Sequence, residues 1–474
     1  MFTGSSPLPW HIQVIVVTHS HTEPNNLKTC RIGIRQLSWG ITVYHLPLAT
    51  LVSEATLPNF FTSQPLLRYI FIRERIDIVH AHASLSSLAH EALFHARATC
   101  ATGGQRRHHI KTVFTDHSLF SLGEDSASAL TNKLLGFVLS DVDRVVTVSY
   151  TGKENTCLRA QFNPEKVFVI PNAVDSTVFC RRPSSQAEGD IESDRTSNRI
   201  TIVALSRLTY RKGISLLLEA VPLICEWCPD VDFLIGGDGP KRVDLELMRE
   251  RSRLFLLDRV TLVGQVSGAD AVRRHLSSGD IFVSPSLTEA FGTTLIEAAS
   301  CGLLCVATRV GGVPETLPSP SVLMLSEPSA DDLVKVLKEA VERIRRKQQN
   351  SIRSAASEDE ARSVTSEPDR LSSATFRQTY SWSQVARRLE SVYQGALQEP
   401  NPSTAQRMQR YLNGADLPSA ARSGRGFVSG LVFCIVVATN LAFAAILEWS
   451  WPADDIEKAI WWLADPSKSV TKSI

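Results

Sequence analysis

The sequence predicts an α/β protein of two parallel-sheet halves, followed by an apolar helix long enough to cross a membrane. Three observations lead there. Short apolar strands alternate with amphipathic helices through most of the 474 residues, the pattern of βα units that lay helices over parallel sheets. A polar stretch at 181–199 interrupts the alternation, which restarts at Ile200-Thr-Ile-Val-Ala204, so the chain divides near its middle. Residues 427–447 are uncharged and overwhelmingly apolar, and as a helix they cover about 31 Å, the thickness of a bilayer's hydrocarbon core.

Taken in order, the first half (11–180) carries strands at 14–17, 76–80, 112–114, 145–148 and 167–170. The second half (200–346) carries strands at 200–204, 231–235, 260–263, 281–284 and 304–307. Residues 100–109 read as a polar loop, 181–199 as the linker and 347–373, rich in Ser, Glu and Arg, as a low-complexity insert. A late helix is expected at 376–397, within a crossover segment 374–400, then the span at 427–447 and a tail at 448–474. Arg407, Arg410, Arg422 and Arg425 precede the span, whereas Asp454, Asp455 and Glu457 follow it with only Lys458 nearby. The positive-inside rule then leaves the two halves in the cytosol and the tail across the membrane. Asn440, inside the span, is a polar group for a partner helix to satisfy. No internal repeat of solenoid period is visible.

A net charge of +1 with 21% charged residues excludes a general nucleic-acid binder. The nine cysteines are irregularly placed, which suits a reducing compartment better than a disulfide framework. Cys225 and Cys228 form a C-x2-C with no second pair at zinc-like spacing, and read as core or surface thiols. No basic segment precedes Ile12, and 14–17 is too short for the apolar region of a signal peptide, so it reads as a buried strand. A single span without a signal fits a tail-anchored protein whose membrane brings a catalyst to lipid.

Chemistry concentrates in Ser286-Leu-Thr-Glu-Ala-Phe-Gly-Thr-Thr-Leu-Ile-Glu-Ala-Ala-Ser-Cys-Gly302. The strand Ile281–Ser284 enters it and a helix leaves from about Thr293. Glu289 therefore sits in the loop at a strand's carboxyl end, and Glu297 one turn into the helix, near its positive end. Gly292 permits close approach, and the free N–H groups of Thr293, Thr294 and Leu295 are anion donors. One carboxylate can hold sugar hydroxyls, the N–H groups a diphosphate and the other carboxylate a ribose, a set suited to a nucleotide-sugar. The plain alternative is a strand–loop–helix with two surface carboxylates, and the Glu spacing alone leaves the two even.

Arg207 and Lys212, in Ser206-Arg-Leu-Thr-Tyr-Arg-Lys-Gly213, follow the first strand of the second half. Cations there can neutralise a leaving diphosphate, although a solvated basic loop looks the same in sequence. Gly236-Gly-Asp-Gly-Pro-Lys241 is a strand-to-helix turn but not G-x-G-x-x-G, which weakens a nicotinamide reading. Gly311-Gly-Val-Pro-Glu315 is a tight turn of structural character. Asp116 and His117 fall just past a strand, at a mouth rather than in a core. A lone His is usually structural, and His80 and His82 lack a third ligand, so no metal is assigned.

The E-x7-E setting resembles the signature of retaining glycosyltransferases with two facing Rossmann-like domains, the GT-B arrangement of family 4. Residues 66–75, His80-Ala-His82, residues 112–120, residues 148–156, the Arg207 loop, the Glu289 motif and the C-terminal span occur in order. Together, over roughly 11–465, they resemble the catalytic subunits of the phosphatidylinositol N-acetylglucosaminyltransferases that open GPI-anchor synthesis. That resemblance implies transfer from UDP-N-acetylglucosamine to phosphatidylinositol with retention, without metal or other cofactor. It places the chain in the endoplasmic reticulum membrane within a multi-subunit complex, cytosolic except for a lumenal tail. It also implies that Arg207 and Lys212 contact the diphosphate, and that Gly237 and Gly239 line the nucleotide side. His117 faces sugar and acceptor, and Asn172 bonds backbone across the hinge. Members of the family open with a strand, a Gly-Gly loop and a helix before the strand matching 14–17. This sequence starts about there, so the first βα unit is expected to be missing. Two rival readings stand beside the first: a non-catalytic membrane-anchored subunit of the same complex, and a transferase using another sugar or lipid acceptor.

Overall fold

The computed structural model describes residues 12–23, 26–37, 40–48, 50–52, 55–56, 59–102, 109–120, 126–180, 199–251, 256, 258–317, 319–356, 379–413 and 427–459. The second half is built on a six-stranded parallel sheet in the spatial order Val260–Gly264, Val231–Gly236, Ile200–Leu205, Ile281–Ser284, Leu304–Thr308, Leu323–Ser326. Helices cover both faces, so its inner strands are apolar on both sides. Every side chain of Leu304–Thr308 is buried. Strand order runs outward in one direction from Ile200–Leu205 and in the other from Ile281–Ser284. The crevice between these two carboxyl ends is where a doubly wound sheet takes its ligand.

The first half departs from a single parallel sheet. Ile78–His82, Lys111–Asp116, Arg144–Thr147 and Val167–Val169 form a four-stranded parallel sheet. Ile15–His19 pairs instead with Thr42–Leu46, which also carries the antiparallel strand Gly33–Gln36. The hairpin between these last two turns at Gly40, where φ is +80°, a value glycine reaches without strain. Leu323–Ser326 and this hairpin were not foreseen from the sequence.

Three late helices belong to the first half. Trp382–Gln398, capped by Ser381, buries Val392 and Ala396 against Val113, Val146 and Ile170. Thr404–Asn413 sends Tyr411 into the core of Leu67, Phe114 and Phe137. Phe427–Ser450 is the one helix among the described residues long and apolar enough to cross a membrane. It presents Val428, Leu431, Val432, Ile435, Ile446 and Trp449 outward. Its other face lies along the first half. The partner foreseen for Asn440 is in this same chain: its Oδ1 is 2.9 Å from His95 Nδ1, its Nδ2 donates to the Phe94 carbonyl, and its own carbonyl accepts from Gln64. Arg68 pairs with Glu448.

Two expectations are corrected. The helix Ala330–Ala356 runs ten residues into the stretch expected as a polar insert, because Lys, Arg, Gln and Ala are good helix formers with no breaker among them. The rest of that stretch, through 373, and nearly all of 181–199 lie outside the described residues. Arg407, counted from the sequence among the cations that precede the span, is buried with its Nε 2.5 Å from Asp141 Oδ2, so its charge is compensated inside the first half. Arg422 and Arg425 lie outside the described residues.

Candidate functional site

The loops after Ile200–Leu205 and Ile281–Ser284 meet at the point where strand order reverses. Gly213, at φ +69°, allows that approach: a Cβ there would stand 1.6 Å from the Pro285 carbonyl oxygen. Leu287 N–H donates to Arg211 O at 2.9 Å, stitching the loops together. The result sets Lys212 Nζ 2.5 Å from Glu289 Oε2, with Ser286 Oγ 3.5 Å from the same oxygen. Arg207 is exposed and makes no ion pair among the described residues. Gly237 and Gly239, at φ +137° and +150°, sit against this loop: a Cβ on either would strike the Ser206 or Leu208 carbonyl oxygen. The close approach these two glycines permit is thus that of one loop to another.

Gly292, at φ +89°, starts the helix Thr293–Ser300. One donor foreseen there is already used, since Leu295 N–H bonds the Gly292 carbonyl at 3.0 Å as the first turn tightens. Thr293 and Thr294 keep the outward donor positions at the helix's positive end. Glu297 lies one turn on, half-buried. Burial raises its pKa, and no ion pair offsets this among the described residues, so its carboxylate is open to a hydroxyl donor.

The first half contributes three histidines. His82 Nδ1 and His117 Nε2 are 3.0 Å apart, and the two residues are open to solvent on one side and packed against the protein on the other. His80 stacks on His82 at 4.3 Å, and the hydroxyls of Tyr393 and Thr115 sit on its two nitrogens at 2.6 Å each. Burial, then the neighbouring His82 and His117 rings, lowers the His80 pKa from 6.5 to about 3. Burial, then His117, lowers that of His82 to about 4. Burial also lowers that of His117, with Asp116 opposing. A folded-state pKa below the unfolded value means that the unfolded chain binds more protons. The stability these rings provide is therefore present above pH 6.5 and lost as pH falls toward the folded values. The urea midpoint should decline from pH 7 to pH 4, and less steeply in His80→Gln; equal slopes would remove His80 as a source.

Asp116 is not at a mouth. It ends its strand buried, 3.5 Å from Arg159 and accepting from Thr156 and the Ser118 N–H, so its work is structural and only His117 faces out. Among the described residues no group of three His, Cys, Asp or Glu is placed to hold a metal ion. Cys225 and Cys228 are buried thiols.

Contacts between the halves hold the cleft, and most were missed in the sequence. Glu315 accepts from the N–H groups of Tyr150 and Thr151 at 2.6 and 2.8 Å, placing a carboxylate on a helix N-terminus from the opposite half. Ser149 caps that helix and donates to the Ala290 carbonyl at 2.7 Å. A Ser before a helix was the legible signal; its second bond was not. Gly311 fits between Leu119 of the first half and Glu289, where a Cβ would be 2.6 Å from Leu119 Cδ1 and 2.1 Å from the Glu289 carbonyl oxygen. Asn172 does bridge to the other half, but it donates to the Thr293 hydroxyl at 3.3 Å rather than to backbone.

Comparison with known proteins agrees with this geometry. The family described as PIGA (GPI anchor biosynthesis) matches residues 26–124, and Glycosyl transferases group 1 matches 199–343. The gpi3 subunit of phosphatidylinositol N-acetylglucosaminyltransferase from Schizosaccharomyces pombe is 42% identical over 453 residues, covering 94% of this chain and 85% of that one. The GPI3 subunit of the same transferase from Saccharomyces cerevisiae is 37% identical over 462 residues, covering 97% and 90%. Among solved structures, a glycosyltransferase from Rickettsia africae aligns with a TM-score of 0.56 at 20% identity, over 76% and 86% of the two chains. Sucrose-phosphate synthase from Thermosynechococcus elongatus aligns with a TM-score of 0.57 at 20% identity, over 81% and 88%. Those two share the fold. The chain is a glycosyltransferase of GT-B fold, and it belongs to the GPI3 family of phosphatidylinositol N-acetylglucosaminyltransferase subunits.

Proposed function

We propose that the chain transfers N-acetylglucosamine from UDP-N-acetylglucosamine to the inositol of phosphatidylinositol, with retention, as the first step of GPI-anchor synthesis. The observation that carries the reading is the Lys212–Glu289 pair at the switch point, flanked by the Thr293 and Thr294 amides and by Glu297. Arriving donor would part the pair: Lys212, with Arg207, turns to the diphosphate and Glu289 to the sugar hydroxyls. The Gly292–Leu295 turn faces the diphosphate, Glu297 the ribose, and Gly237 and Gly239 the nucleotide side of the cleft. His117, held by His82, faces sugar and acceptor from the opposite half.

Bond changes close without a protein base. The bond from the inositol oxygen to the anomeric carbon forms on the face from which the diphosphate leaves, and the acceptor proton passes to the departing phosphate oxygen. Arg207 and Lys212 take up the charge that develops there, and the reading calls for no metal. We place the enzyme in the endoplasmic reticulum membrane, halves cytosolic and tail lumenal, among the other membrane subunits of its complex. The test is microsomal transfer of labelled N-acetylglucosamine from UDP-N-acetylglucosamine to phosphatidylinositol, in cells that express this chain in place of their own catalytic subunit. Labelled product supports the reading. UDP binding without turnover in the assembled complex would replace it with a non-catalytic role.

A further inference from the structure

Glu289 stands on a loop that the opposite half of the chain helps to hold. Three consecutive carbonyls of that loop are each taken by a donor. Gly312 N–H donates to the Glu289 carbonyl at 3.0 Å, Ser149 Oγ to that of Ala290 at 2.7 Å, and Thr316 Oγ1 to that of Phe291. Gly312 and Thr316 belong to the same half as the loop. Ser149 alone of the three comes from the other half. Ser149, Ala290 and Phe291 are 2%, 8% and 3% exposed, so water does not stand in for the hydroxyl. A Cβ on Gly312 would lie 2.1 Å from the Ala290 oxygen and 2.7 Å from Ser149 Oγ, which leaves the two in direct contact. A buried carbonyl deprived of its donor costs about as much as a lost hydrogen bond.

The seam works in both directions. Ser149 Oγ also accepts from Gly152 N–H at 3.0 Å, capping Tyr150–Ala160. The hydroxyl thus serves its own helix as an acceptor and the opposite loop as a donor. Gly152 stands where a capping box carries Glu and has no side chain. Glu315 of the other half takes up the free N–H groups of Tyr150 and Thr151 instead, and the Thr151 hydroxyl at 2.7 Å. Glu315 lies in the same turn as Gly312 and Thr316, so one turn grips the helix and the Glu289 loop together.

We propose that Ser149 is a positioning residue for Glu289. Its hydroxyl, carried by the first half, fixes the Ala290 carbonyl and with it the peptide beside the carboxylate. When the halves part at this seam, Ala290 loses its donor and the loop loses a tether. Glu289 is therefore held in line with the donor sugar only while the halves are together. The proposal rests on the transfer reading for what Glu289 does. It goes beyond that reading in making the donor-side carboxylate depend on the opposite half.

Ser149→Ala should lower the transfer rate at saturating UDP-N-acetylglucosamine by about 10–100-fold, approaching the loss a 1 Å misplacement causes. KM for the donor should stay unchanged, because the diphosphate contacts remain. Ser149→Thr, which keeps the hydroxyl, should transfer at close to the wild-type rate. The deciding readout is hydrogen–deuterium exchange of the full chain in nanodiscs, without substrate. Ser149→Ala should speed exchange across residues 286–295 as well as 150–160. Faster exchange confined to 150–160 would reduce Ser149 to a cap of its own helix and overturn the proposal. An unchanged transfer rate in the folded Ser149→Ala variant would overturn it too. Exchange is read without donor or acceptor, so a wild type that transfers no sugar would sink the transfer reading alone.

Discussion

Glu289→Ala is expected to lower sugar transfer by about 10²–10³-fold, the usual loss when a group that binds the developing transition state is removed. Folding should be spared. Glu289 and Lys212 are 18% and 25% exposed, and a pair this wet contributes about 0–1 kcal/mol to stability. The main-chain contacts of Glu289, its carbonyl over Gly311 and Gly312, do not involve the side chain. The variant should therefore melt near the wild type while its rate at saturating donor falls. Initial rates and thermal unfolding on the same microsomal preparation decide it, and an active, folded variant would remove Glu289 from the mechanism.

The second large effect falls on the fold. Asp141→Ala should destabilise the chain by about 3–5 kcal/mol, the range for breaking a buried ion pair from one side. Asp141 lies buried with Arg407 Nε at 2.5 Å and Arg97 Nε at 3.9 Å, and its backbone carbonyl accepts from Arg97. Asp143, 2.7 Å from Arg97, can neutralise only one of the two guanidinium groups. Removing Asp141 leaves Arg407 charged inside the first half, on the helix that seats Tyr411. A domain's whole stability is only about 5–15 kcal/mol. A shift in urea-derived stability below about 1 kcal/mol would show that water reaches this cluster.

What the sequence disclosed and what it withheld divide along physical lines. Ile281–Ser284 was legible to the residue because a strand buried on both faces writes an uninterrupted apolar run between breakers. The positions of Glu289, Glu297, Arg207 and Lys212 beyond strand ends were legible because each follows a strand whose end is marked. The Gly33–Leu46 hairpin was not, being short, with the whole of Gly33–Gln36 exposed and no apolar alternation. Asp116 could be placed at a strand's end, but its partner Arg159 is 43 residues away, and nothing local distinguishes a paired carboxylate from a solvated one. Gly237 and Gly239 announced a close approach without saying to what. Leu295 lost its free N–H to the local tightening of a helix's first turn, a choice of hydrogen bond that residue type does not encode.

The docking of Phe427–Ser450 along the first half has a consequence for how the protein is born. Gln64 bonds a residue 376 positions later in the chain, and the core around Leu67 and Phe137 includes Tyr411 and Val437. At a synthesis rate of about 5–20 residues per second, roughly 20 to 75 seconds separate the emergence of such partners from the ribosome. Over that interval the earliest helices to be made wait with an apolar flank uncovered, while the second half, whose sheet draws only on nearby segments, can already close. The first half thus reaches its final packing only after Phe427–Ser450 has left the ribosome.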